Sequence, residues 1–277
     1  MCEACGCGHY EQDTIRIGVP GETRGDDREH SHRASSEGHA PHGHIHEEAK
    51  TRTLEIHRSV FEKNDRLAER NRGFFLAKGL LVLNMLSSPG SGKTTLIERT
   101  AKALKGKLRL GVIVGDLATE NDARRLQEAG LPTVQINTGS LCHLDAGMIF
   151  QALPKLPLDE LDALIIENVG NLVCPADFDL GESLRVTLLS VAEGEDKPLK
   201  YPPVFHSAGA VVVAKTDLAA ACGCDMERLR SNLRKIAHHA RIFETSALSG
   251  EGMEAWAAYL QQACEENRQA FAPGSRG

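Results

Sequence analysis

Ser87-Ser88-Pro89-Gly90-Ser91-Gly92-Lys93-Thr94-Thr95 stands between an apolar run and a helix-like stretch, and it reads as a phosphate-binding loop. Gly90 and Gly92 let the backbone curl until successive N–H groups point at phosphate oxygens. Lys93 reaches the terminal phosphates, and the Thr94 hydroxyl is placed to ligate a magnesium ion. Ser91 and Thr95 complete the phosphate-contacting run, with the anion at the positive end of the helix that opens near Thr94. The pattern is Gly-x-x-x-x-Gly-Lys-[Ser/Thr], and Ser87 stands at its first position.

The flanks agree with that reading. Leu80–Leu86 is a nearly continuous apolar run, as a parallel strand buried on both faces requires. Thr95–Leu104 carries apolar residues at helical spacing. Farther along, Leu108–Val114, Thr133–Ile136, Leu161–Ile166, Val186–Val191, Ala210–Val213 and Arg241–Phe243 are strand-like. Helical candidates lie between several of them: Thr119–Glu128, Leu144–Leu153, Asp225–Ala240 and Gly252–Gln262. The alternation predicts an α/β fold of the P-loop NTPase type, a mainly parallel sheet flanked by helices, with its ligand at the carboxyl edge of the strands.

The 277 residues form three regions. Residues 1–50 hold almost no aliphatic side chains, so they bury too little apolar surface to offset ordering entropy and are expected to form a disordered Cys/His-rich tail. Residues 51–78 interleave Leu54, Ile56, Val60, Phe61, Leu67, Phe74, Phe75 and Leu76 with charge, which predicts an amphipathic helical extension packed on the main domain. Residues 79–277 form the P-loop domain. A net charge of −6 argues against nucleic acid as a partner, and no apolar segment is long enough to span a membrane. The opening residues do not resemble a signal peptide, so a cytoplasmic location is expected. There the eight cysteines are first read as thiols or metal ligands.

A triphosphatase needs carboxylates to hold magnesium. Asp116 and Glu167 both follow strands that end at the edge carrying the loop, so Lys93, Asp116 and Glu167 are the candidate catalytic set, with Thr94, Asp116 and Glu167 around Mg2+. Glu167-Asn168-Val169-Gly170 also resembles the Asp-x-x-Gly element whose glycine amide faces a γ-phosphate. Base choice follows from Ala214-Lys215-Thr216-Asp217. The GTPase pattern is Asn-Lys-x-Asp, in which the Asp accepts guanine N1–H and the exocyclic amine while the Lys stem lies against the ring. Asp217 and Lys215 are in place; Ala214 replaces the Asn. Ser246 and Ala247 follow the last strand, where a backbone amide can meet guanine O6. GTP is therefore the expected nucleotide.

Two Cys/His constellations point to metal. Cys2, Cys5 and Cys7 lie within six residues of sequence, with Gly6 relieving the backbone, a soft donor set for square-planar nickel or tetrahedral zinc. His30, His32, His39, His42, His44 and His46 form a polar tract suited to storing Ni2+, Zn2+ or copper. Inside the domain, Cys142 and His143 are adjacent and Cys174 follows the Glu167 strand. From residue types alone a Cys-His pair is as readily core as ligand. Cys222-Gly223-Cys224 is a further thiol pair.

The chain as a whole resembles the HypB family of SIMIBI-class GTPases, which serve nickel insertion into [NiFe] hydrogenase. The resemblance rests on the terminal Cys-x-x-Cys-x-Cys, the His tract, the phosphate loop, Leu-Cys-His-Leu-Asp at Leu141–Asp145 and Glu-Asn-Val-Gly-Asn-Leu-Val-Cys-Pro at Glu167–Pro175. Asp196–Pro202 also looks family-like. The resemblance implies a GTP- or metal-dependent homodimer, with nickel at Cys2, Cys5 and Cys7. It further implies nickel or zinc at Cys142, His143 and Cys174, and partnership with the nickel chaperone HypA and the hydrogenase large-subunit precursor. Hydrolysis is expected to be slow, since neither an arginine finger nor a catalytic Gln is identifiable. The competing assignments are a nickel store, a urease-type nickel GTPase and a small-molecule kinase.

Overall fold

The computed structural model describes residues 15–20, 46–117 and 119–271, with the side chains of residues 46–58 and of Phe271 excepted. Cys2, Cys5, Cys7, His30, His32, His39, His42 and His44 lie outside the described residues, and His46 contributes only backbone.

The apolar run before the phosphate loop forms strand β2 (Leu81–Ser87), buried at every position. Burial on both faces is why its sequence shows no alternation. Around it lie β1 (Arg16–Gly18), β3 (Leu110–Asp116), β4 (Thr133–Asn137), β5 (Ala163–Glu167), β6 (Leu184–Ser190), β7 (Ala210–Ala214) and β8 (Arg241–Thr245). Among the described residues the sheet has eight strands in the order β1-β4-β3-β5-β2-β6-β7-β8, and every pairing except that of β1 is parallel.

Helices cover both faces. On one side α2 (Lys93–Ala103), α3 (Asn121–Glu128) and α9 (Met253–Phe271) bury Leu96, Ile97, Leu126, Trp256 and Leu260 against Leu81, Leu83 and Met85. The Trp256 indole N–H donates to Thr100 Oγ1 at 2.9 Å, tying α9 to α2. On the other side α1 (His46–Ala77) and α4 (Ala146–Ala152) meet Val82, Ile113 and Ile166, and α7 (Pro202–His206) with α8 (Met226–Ile236) covers Leu86, Val211 and Val213. Among the described residues no helix is long and apolar enough to cross a membrane.

Two sequence expectations need correction. The extension is one helix, α1, which begins at His46 and not near residue 51. Within the segment expected to be a disordered tail, Arg16–Gly18 pairs antiparallel with β4. Strand pairing satisfies backbone groups whatever the neighbouring side chains are, and Ile17 and Val19 add apolar packing against the α4 side of the core.

Helix α1 is docked by amides as much as by its apolar face. Asn71 Nδ2 donates to Ala146 O at 2.8 Å and Leu180 O at 3.1 Å, and Asn64 Oδ1 accepts from Ala146 N at 2.9 Å. Arg72 reaches Glu182 O at 2.9 Å and pairs with Asp179. These bonds hold the start of α4 and the loop around Leu180, the structural support of the site described below.

At the other end of the sheet Gly252 adopts φ +70°, and a Cβ there would lie 1.9 Å from Glu244 O. Both conformation and space demand glycine. Gly252→Ala is expected to destabilise the domain by about 2–4 kcal/mol, read as a lower urea midpoint with an unchanged m-value.

Candidate nucleotide and metal site

The carboxyl ends of β2, β3 and β5 open onto a cleft of about 440 Å³ lined by Gly90, Gly92, Lys93, Thr94, Thr95, Asp116, Glu167, Gly170 and Lys215, among others. Gly90 and Gly92 take φ +72° and +103°. Gly92 is the N-cap of α2, and no side chain caps that helix. The first-turn amides therefore face the cleft, an arrangement that suits an anion. Lys93 is buried and donates to Ser87 Oγ at 2.8 Å, so the serine at the motif's first position supplies an anchor for the lysine.

Thr94 and Glu167 meet as the strand ends predicted, with Thr94 Oγ1 donating to Glu167 Oε1 at 2.8 Å. Glu167 Oε2 is fully buried and has no hydrogen-bond partner among the described residues. Burial pushes the Glu167 carboxyl up to about 7, opposed by the Lys93 charge and the Thr94 hydroxyl. Burial likewise lowers the Lys93 ammonium, opposed first by Glu167. An orphaned buried carboxylate oxygen beside a hydroxyl is a fitting donor pair for a hard divalent cation such as Mg2+. Asp116 lines the same cleft, but its carboxylate already caps the turn after β3, accepting from Leu117 N at 2.7 Å and from the Thr119 hydroxyl.

The candidate base-recognition residues occupy neighbouring loops at this edge. Ala214 and Thr245 are register partners, so Lys215–Asp217 and Ser246–Ala247 emerge side by side. Lys215 holds a left-handed φ of 61° and donates from Nζ to Gly90 O at 2.7 Å, laying its stem over the phosphate loop. Asp217 is exposed, in the turn Thr216–Leu218. Ser246 is buried, and its Oγ accepts from Ser249 N at 3.0 Å. Asp217, Ser246 and Ala247 do not line the 440 Å³ cleft itself.

Cys142, His143 and Cys174 come together, with ligand atoms all within 4.8 Å of one another. Cys174 opens the short helix α5 (Cys174–Asp177), and its Sγ lies 2.8 Å from Cys142 Sγ. The His143 ring stacks on Phe178 at 3.8 Å between centroids, and Phe178 meets Phe61 of α1 at 5.2 Å. Burial lowers the His143 pKa, opposed by Asp145 and Asp177, which favours the neutral imidazole that binds metal. Two thiols and an imidazole suit borderline and soft cations, Zn2+ and Ni2+ among them. Cys222 and Cys224 are not part of this set; Cys222 is exposed.

Three charged residues at the site went unrecognised in the sequence. Asp122 and Arg125 of α3 line the cleft, and Arg125 is held by Glu98 at 2.7 Å. Glu193 accepts from Ser91 Oγ at 2.7 Å. Polar residues on an exposed helix face or in a turn carry no periodic signal that sets them apart.

The phosphate loop, its buried lysine, the Thr94–Glu167 pair and the parallel sheet define a P-loop nucleotide-binding protein. Residues 81–244 match the family model "CobW/HypB/UreG, nucleotide-binding domain". The chain is 51% identical over 213 residues to the hydrogenase maturation factor HypB of Escherichia coli K12, covering 77% of this chain and 73% of that one. It is 49% identical over 214 residues to HypB of Azotobacter vinelandii, with 77% and 71% covered. The solved structure of Helicobacter pylori HypB in complex with nickel superposes with a TM-score of 0.71 at 41% identity, covering 74% of this chain and 97% of that one. The chain belongs to the HypB family of SIMIBI-class P-loop GTPases.

In a full-length chain whose Cys2, Cys5 and Cys7 are replaced by serine, Ni2+ is expected to retain thiolate-to-metal charge-transfer absorption from the internal thiols. Adding Cys142→Ser and Cys174→Ser should abolish it, and persistence of the band would place the metal elsewhere.

Proposed function

We propose that this chain is a GTP-hydrolysing nickel metallochaperone that binds nickel and delivers it during [NiFe] hydrogenase maturation. The observation that carries this reading is one short segment, Glu167–Cys174, whose first residue contacts Thr94 of the phosphate loop and whose last belongs to the Cys-His-Cys set. Nickel is the cargo and GTP the substrate. The relatives named as hydrogenase maturation factors, and the H. pylori relative described as a nickel complex, support both assignments.

In this reading Lys93 and the first-turn amides of α2 hold the triphosphate, and Thr94 and Glu167 hold Mg2+, which neutralises charge on the phosphates. Asp116 braces the turn beside them. Lys215 covers the phosphate loop, and Asp217 selects guanine, with Ser246 and Ala247 on the adjoining loop. Water attacks the γ-phosphorus, and GDP leaves with inorganic phosphate. Slow hydrolysis fits the cleft: among the described residues no glutamine lines it, and Arg125 is engaged by Glu98. Loss of the γ-phosphate relaxes the Gly170 side of the loop and moves Cys174 relative to Cys142 and His143, changing coordination.

Cys2, Cys5 and Cys7 are the high-affinity nickel ligands, and His30, His32, His39, His42, His44 and His46 form the storage tract. Zinc competes for the internal site. The chain works as a cytoplasmic, GTP- or metal-dependent homodimer alongside the chaperone HypA and the hydrogenase large-subunit precursor. Val173, half exposed beside Cys174, and Leu117, 45% exposed on the same edge, support a partner surface there.

Lys93→Ala is expected to cut GTP turnover at least about tenfold, and Asp217→Asn to shift preference from guanine toward xanthine nucleotides. Turnover that is measurable in the wild type and lost in the lysine variant would eliminate a simple nickel store as the full account. Ni2+ affinity measured with GTP and with GDP should differ in the wild type and become equal in Cys174→Ala; a nucleotide response that survives the substitution would break the coupling.

A further inference from the structure

Glu193 presents a carboxylate to the phosphate loop from a side chain only 15% exposed, an unexpected sign of charge beside a site built for anions. It closes the turn Val191–Glu193 after β6, where a capping box with Ser190 fixes it, and Ser190 N donates to Oε1 at 3.0 Å. The same Oε1 accepts from Ser91 Oγ at 2.7 Å, while Ser91 Oγ also lies 2.8 Å from Ser88 O. On the other oxygen, Oε2 ion-pairs with Lys197 Nζ at 3.3 Å. Burial by itself would raise the Glu193 pKa. The hydroxyls of Ser88 and Ser91, the Ser190 amide and Lys197 outweigh it, and the carboxyl stays below its ordinary value. Its charge is felt at Lys93.

Lys197 is the first residue of α6 (Lys197–Lys200) and the second of the stretch Asp196–Pro202. Its ammonium lies 5.0 Å from the Tyr201 ring centroid, and Asp196 and Lys200 pair with each other at 2.8 Å. The stretch is therefore built around one cation aimed at Glu193. Glu195 O, in the same turn, accepts from Asn232 of α8 at 2.9 Å and keeps this turn in place.

We propose that Glu193, partly neutralised by Lys197, is a positioning residue of the GTPase site that anchors the phosphate loop through Ser91 and sets the preference between GTP and GDP by its residual charge. The inference rests on the GTPase reading of the cleft. The hydroxyl anchor fixes Ser91 between two glycines with positive φ, so the loop amides keep one geometry. The negative charge opposes the extra charge of a γ-phosphate more than it opposes a diphosphate, and Lys197 moderates that opposition.

The two partners therefore act with opposite signs. Glu193→Gln keeps an oxygen acceptor for Ser91 and Ser190 while removing the charge; Lys197→Met leaves the charge unmoderated. In full-length protein, with dissociation constants for GTP and GDP measured from fluorescent analogues, Glu193→Gln should raise the GTP-over-GDP affinity ratio about 3- to 10-fold. Lys197→Met should lower it by a similar factor. A structural role alone would weaken both nucleotides together in both variants. Ratios that shift in the same direction, or by less than twofold, would overturn the proposal. Lys93→Ala serves as the control for the underlying reading: if it binds GTP as wild type does, the cleft is not a GTPase site. If Lys93→Ala loses binding while the ratios stay fixed, only the role of Glu193 fails.

Discussion

Glu167 and Lys93 are both buried and both cost free energy as isolated charges, and much of the site follows from their opposition. Among the described residues neither is neutralised by a close ion pair. Lys93 is spent on Ser87 Oγ and Glu167 on Thr94 Oγ1, with one carboxylate oxygen left without a hydrogen bond among the described residues. Burial drives each toward its neutral form, and each opposes that drift in the other. A triphosphate beside Lys93 and a divalent cation beside Glu167 would relieve both penalties together. The cleft is in that sense prepared for a metal–nucleotide pair, with the cost already met by folding.

The residues after Glu167 run on between the phosphate loop and the Cys142–Leu144 segment. Asn171 bridges to Ser87, and a Cβ on Gly170 would touch Pro89 at 3.0 Å, so this segment lies directly against the phosphate loop. Asn168 Oδ1 accepts from Leu144 N at 3.2 Å, and Asn171 Nδ2 donates to Cys142 O at 3.3 Å. The strand end that meets the phosphate loop thus also holds the Cys142–Leu144 segment in register with Cys174. Asn168 is tied in turn to Asn84 inside β2, and Asn84 to Glu182, a buried polar chain that fixes the segment from below. Buried amides of this kind resist displacement because each would be left unsatisfied by a shift.

The sheet was legible because its strands are short apolar runs punctuated by glycine and polar turns, and every strand end that carries a phosphate-site residue fell within two residues of its predicted place. Strand β1 was not, since three residues in a polar segment leave no pattern. The Cys142–His143–Cys174 set was only half legible. Adjacency put two donors together, but the choice between core and ligand depended on Cys174, which lies 32 residues away in sequence. Glu193 was illegible for the same reason in sharper form: it meets Ser91 across 102 residues, and nothing local marks it. Asp217 shows the reverse case, a residue recognised by motif whose loop position agrees but whose side chain lies outside the phosphate cleft.

The helical extension bears on the candidate metal site more directly than an amphipathic pattern implies. The rings of Phe61, Phe178 and His143 form a continuous chain of contacts from α1 to the imidazole, tilted at the first step and stacked at the second. Asn64 Nδ2 donates to Asp179 O at 2.8 Å, beside Phe178, and Gly181 approaches α1 so closely that a Cβ would sit 2.6 Å from Ala68 O. The orientation of one candidate ligand, His143, is therefore set by a helix outside the sheet, while Cys174 follows the strand whose end meets the phosphate loop. One donor is held to the extension and another to the nucleotide edge. A displacement of either support changes the angle between donors without unfolding the core, and geometry at a thiolate–imidazole site is what separates one borderline cation from another.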